Sequence, residues 1–146
     1  MKLRTTLLTA AFTLVVTNVH ANEANCLNRL IEHAKAANAF VAWVQPIDIR
    51  DFPIINKLDT DLRHDPRPET VTVSLEELQQ LNDDFAASLA RMQELTNEHN
   101  NLVYDKCAKP DKVTDEQMAP YFAQVQTNLA IIKNVLAHKQ SNQTAN

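Results

Sequence analysis

Ser74–Lys106 reads SLEELQQLNDDFAASLARMQELTNEHNNLVYDK, and this stretch decides the fold class. Ser74 and Glu77 have the spacing of a capping box, in which hydroxyl and carboxylate each satisfy an orphan backbone N–H at a helix start. Leu75, Leu78, Leu81, Phe85, Leu89, Met92, Leu95, His99 and Leu102 then recur at steps of three and four, the period of one helix face. The spacing predicts a helix ending near Lys106 and about 50 Å long. Its other face is acidic and reads as a solubilising surface. Asp83 and Asp84 fall there, where carboxylates keep ordinary pKa values.

Upstream, Leu27, Leu30, Ile31, Ala34, Ala37, Val41 and Val44 predict a first helix over residues 23–44. Pro46 stops it, because a residue before proline disfavours α geometry. Residues 45–73 are irregular, with Pro46, Pro53, Pro66 and Pro68. Within them Asp51 caps a predicted short helix over residues 51–63, carrying Pro53 in its first turn and Ile54, Ile55, Leu58 and Leu62 at helical spacing. His64 to Pro68 is expected to be extended.

Downstream, a second box at Thr114–Gln117 opens a last helix. Met118, Phe122, Val125, Leu129, Ile132 and Leu136 face inward, and Lys133, His138 and Lys139 suit the negative C-terminal dipole. Pro120 removes one hydrogen bond near its start. Residues 141–146 read as a polar tail.

Lys2 and Arg4 precede an apolar stretch, Leu7 to Val16, and then Val19-His20-Ala21. That is the pattern of a cleaved signal peptide over residues 1–21, too short to anchor in a membrane. A single helical domain over residues 22–140 follows. Export is expected to deliver it to the periplasm or outside, with no stable membrane insertion. The 146-residue chain has a net charge of −4, becoming −6 once Lys2 and Arg4 leave with the signal. An acidic chain with no basic run is a poor nucleic-acid ligand. It contains no glycine, which excludes phosphate-cradling loops, nucleophile elbows and tight I′ hairpins.

Cys26 and Cys107 are the two cysteines, and an oxidising compartment makes a disulfide their default. No C-x-x-C spacing is present, so a thioredoxin-type centre is excluded. The bridge requires the start of the first helix to meet the end of the long one. The expectation is an all-α fold: a small antiparallel three-helix bundle with an additional short helix.

In that register, residues whose numbers sum to about 133 lie level, bringing His33 and His99 to neighbouring heights with Glu32 and Glu98 nearby. Paired imidazoles can ligate a metal or haem, although HExxH is absent and two ligands fall short of an ordinary site. A second cluster, Arg50, Lys57, Arg63, His64 and Arg67, is interleaved with Asp48, Asp51, Asp59, Asp61, Asp65 and Glu69 and reads as a salt-bridged surface. No arrangement suits catalysis, and no cofactor is expected. The function expected is a non-catalytic factor that binds another envelope or secreted protein: an inhibitor, immunity protein, adaptor or chaperone-like protein. Trp43, Phe52, Arg63 and Arg67 are its candidate contacts. The alternative is a metal- or haem-binding bundle using His33 and His99.

Overall fold

The structure is a computed structural model that describes residues 23–109 and 112–144. The proposed signal peptide and the Thr114–Gln117 box lie outside the described backbone and side chains respectively. The fold is all-helical: α1 (Glu23–His64), a single 3-10 turn (Pro68–Thr70), α2 (Leu75–Tyr104) and α3 (Lys112–Thr144). No strand occurs among the described residues.

The largest departure from expectation is α1. It spans 42 residues, about 63 Å at 1.5 Å per residue, and absorbs the predicted short helix without a break. Pro46 and Pro53 lie inside it. Both are exposed, and at about 100° per residue both fall on the side of α1 away from Val44, Ile47, Asp51 and Ile55. The carbonyls they strand, of Ala42 and Ile49, therefore turn to water, and long helices already bend convexly toward solvent around a core.

The inward face also differs from the one expected. Cys26, Leu30, His33, Ala37, Phe40, Val44, Ile47, Asp51, Ile55 and Leu58 are buried, in steps of four and three that alternate as far as Asp51. Leu27 is 46% and Ile31 42% exposed. On α2 the matching seam is Leu78, Leu81, Phe85, Ser88, Met92, Leu95 and Leu102. A 3-4 repeat on both helices is the pattern of knobs packing into holes. His33 sits inside it. Asp51 is no helix cap either: it is fully buried in mid-helix.

The contacts between α1 and α2 keep one arithmetic. Cys26 meets Cys107, His33 meets His99, Trp43 meets Arg91 and Arg50 meets Asp84. Residue numbers rise along one helix as they fall along the other, with sums from 132 to 134. α2 also packs against α3, and the 3-10 turn rests on α1 and α3. The backbones of α1 and α3 stay more than 8 Å apart among the described residues. One core joins all three helices, from Phe40, Val44, Ile55 and Leu58 through Leu78, Leu81 and Phe85 to Val125, Ile132 and Val135.

The ends of α2 are built locally. Ser74 Oγ accepts from Glu77 N–H, and Glu77 accepts in return from Ser74 N–H, the box read from the sequence. The helix closes at Tyr104. Lys106 takes a left-handed conformation, φ 60°, where glycine usually stands; this chain has none. Cys107 and Ala108 N–H both donate to Leu102 carbonyl, and the reversed chain brings Cys107 to Cys26 with Cα atoms 5.1 Å apart. Leu30 and Leu102 pack against that disulfide. α3 continues to Thr144, so residues 141–144 extend the helix as an exposed last turn.

Candidate functional site

Beyond α1, Asp61 holds the linker. Its carboxylate accepts from Thr72 N–H at 2.7 Å and Thr72 hydroxyl at 2.8 Å, and Lys57 Nζ donates to Thr72 carbonyl. Burial pushes the Asp61 carboxyl up, but those hydrogen bonds, with the charges of Lys57 and Lys139, hold it below the ordinary aspartate value. Val71 and Val73 are thereby buried. The three arginines of the basic cluster are each paired: Arg50 with Asp51 and Asp84, Arg63 with Asp59, Arg67 with Asp65.

The pinned linker leaves a cleft of about 490 Å³ where α1 ends beside α3. Leu62, Ile131, Val135, Pro66 and Pro68 line it, with Asp59, Arg63 and Asn134 as its polar groups. A few polar groups on an apolar surface of this volume make a ligand-sized recess.

The four candidate contacts do not converge. Trp43 is half-buried against the core and lies under the Arg91 guanidinium, 4.0 Å from its ring. Phe52, 48% exposed, is nine residues further on, hence on the opposite side of α1. Arg63 lines the cleft. Arg67 grips Asp65 through Nε, Nη2 and its own backbone N–H, which holds the Asp65 carboxyl at about 2. Phe52 and Arg63 share one azimuth of α1, separated by about 16 Å of helix.

His33 and His99 do meet: their rings are 5.9 Å apart between centroids. His33 is buried and its pKa is lowered, by burial first and then by the His99 charge, with Glu98 opposing. Glu98 is itself taken by Arg29, which also binds Asp105. No cluster of three or more His, Cys, Asp or Glu placed to hold a metal ion occurs among the described residues.

Sequence reasoning placed Arg50, Asp48 and Asp51 in a salt-bridged surface, whereas the structure buries Asp51 and links it through Arg50 to Asp84. Asp51 Oδ1 accepts from Arg50 Nε at 3.0 Å and Gln80 Nε2 at 2.9 Å, while Oδ2 is buried with no donor. Arg50 also binds Asp84, so one guanidinium holds both carboxylates across the seam. Asp84 is therefore not a free surface carboxylate. Its pKa is raised by burial and by the Asp51 charge, against the pull of Arg50. Asp48 is pushed up to about 6, by burial and then by Asp51. The only signal for this node was Asp51 standing at a seam position, legible once α1 is read straight through Pro46.

No described helix is long and apolar enough to cross a membrane. Comparison with family models, with curated proteins and with solved structures finds no match to this chain.

Proposed function

We propose that this chain is an exported, non-catalytic factor that binds another envelope or secreted protein, built as a small antiparallel three-helix bundle released from a signal peptide over residues 1–21. Support for export is the charged and apolar N-terminal sequence together with the Cys26–Cys107 disulfide. The observation that carries binding is the cleft at the end of α1, which contains Arg63. Its size and lining suit an extended segment of a partner that inserts one apolar side chain and offers a carboxylate to share the Arg63 guanidinium with Asp59. Whether such a partner is inhibited, protected or chaperoned follows from its identity. The test is capture from periplasmic extract with wild type, Arg63→Glu and Ile131→Arg, each checked by circular dichroism. A partner retained by wild type and lost by both variants is expected. Equal capture by all three overturns the cleft as the contact.

The imidazole pair supports a second reading, a bound transition-metal ion or haem at His33 and His99. Its separation is close to the ~6 Å expected when two rings share one ion with bonds near 2 Å. Protein purified without tag or chelator is examined by absorbance and metal analysis. Bound or reconstitutable metal that His33→Leu abolishes supports this reading, and colourless, metal-free, unreconstitutable protein ends it.

A further inference from the structure

We propose that Asp51 and Asp84 hold one proton between them across the α1–α2 seam, and that taking up this proton in mildly acidic surroundings locks α1 over the segment from Pro46 to Pro53. The inference goes beyond the binding reading and does not depend on it.

The geometry carries it. Asp51 is fully buried, and its Oδ2 has no donor. The carboxyl held on the same Arg50 guanidinium is that of Asp84, and two carboxylates can hydrogen-bond only if one is protonated. A proton from solvent, placed on one carboxyl oxygen and donated to the other, completes the set begun by Arg50 and Gln80. Without it, Asp48, Asp51 and Asp84 oppose one another with only the Arg50 guanidinium bound among them. The charged and titratable groups facing the pair are Asp48 and Arg50 from α1 and Asp84 itself from α2, beside the Gln80 amide. Asp83 is engaged elsewhere, accepting from Gln79 and Asn82.

The position matters because α1 is weakest there. Pro46 and Pro53 each remove a backbone hydrogen bond, so the intervening turns lean on side chains. Asp51 and Asp84 connect those turns to α2. The raised pKa values of Asp48 and Asp84 support uptake: a group raised on folding adds stability below its unfolded value and loses it as pH rises through the folded one. For Asp48 that window runs from 3.8 to about 6.

The test is hydrogen exchange of the full chain near pH 5 and near pH 7.5, corrected for intrinsic rates, with carboxyl-carbon NMR titration. Amides of residues 44–56 are expected to exchange several-fold more slowly at the lower pH. The Asp84 carboxyl carbon should titrate above the ordinary aspartate value, in step with the change in exchange. Asp84→Asn supplies a permanent donor and should give the slow pattern at both pH values. Asp48→Asn should keep the change, displaced to lower pH. Equal exchange at both pH values in wild type overturns the proposal, as does a change abolished by Asp48→Asn. If Asp84→Asn does not fold, the wild-type titration decides alone: an Asp84 midpoint at the ordinary aspartate value overturns it.

Discussion

His33 and Asp51 occupy equivalent places on α1, eighteen residues or five whole turns apart, both turned into the seam with α2 and both buried. Their surroundings are opposite. The imidazole faces another imidazole in a layer next to Leu30, Leu102 and the disulfide; the carboxylate is met by a guanidinium and an amide. Burial favours the neutral form in each case, which lowers His33 and raises the carboxyls around Asp51. One rule of desolvation thus gives α1 two ends with contrary responses to acid. Near the disulfide, stability is present above the unfolded histidine value of 6.5 and is lost as pH falls below it. At the proline segment, stability is gained over the same fall.

The largest expected effect breaks this comparison at the disulfide. In the chain-entropy model an 81-residue separation is worth roughly 4 kcal/mol, so Cys26→Ala/Cys107→Ala should lower the melting temperature by about 10 °C or more. Hydrogen-exchange protection should fall over residues 23–45 and hold beyond Pro46, where Asp51, Ile55 and Leu58 dock α1 independently. Equal loss along all of α1 would show that the two ends form one cooperative unit and are not separable.

A sharper cut replaces each polar group by an isostere of the core. Asp51→Leu leaves Arg50 and Gln80 without their shared acceptor and should cost about 1–3 kcal/mol at neutral pH in denaturant titrations. His33→Leu extends an apolar layer, so it should be neutral or stabilising, and it should remove the acid-induced loosening of residues 23–45. The acid-side gain at the proline segment is smaller, on the order of 1 kcal/mol once solvent screening of the partly exposed Asp48 is allowed for. A His33→Leu protein that still loosens at its disulfide end in mild acid would place the sensitivity elsewhere.

These two residues also explain how far the sequence could be read. Helix α2 was legible because its capping box and leucine stripe agree, and the disulfide then supplied the pairing that brought His33 to His99. Helix α1 was misread for one physical reason. Its seam contains an imidazole and a carboxylate, so an apolar stripe drawn without them rotates onto Leu27, Ile31, Ala34 and Val41. Reading on through Pro46 requires knowing which side of the helix the prolines occupy, and that depends on the stripe. Once the face was displaced, the prolines looked like stops, Asp51 looked like a cap, and the carboxylate node disappeared. Asp84 was misplaced with it, because its burial comes from Arg50 and Asp51 on the other helix.

The smallest expected effect lies between the two ends. Trp43, the chain's one tryptophan, packs near Phe40 and beneath Arg91. That contact ties α1 to α2 midway between the imidazole and carboxylate layers. Arg91→Ala removes a partly exposed cation–π contact and should cost about 0.5–1 kcal/mol. Arginine keeps its charge throughout the range in which histidine and aspartate titrate. The variant should therefore move the stability curve down without changing its slope in pH, while wild-type Trp43 emission reports whichever half loosens first. A changed slope in Arg91→Ala would mean that the middle of the seam transmits between its ends, and that the contrary acid responses are coupled rather than local.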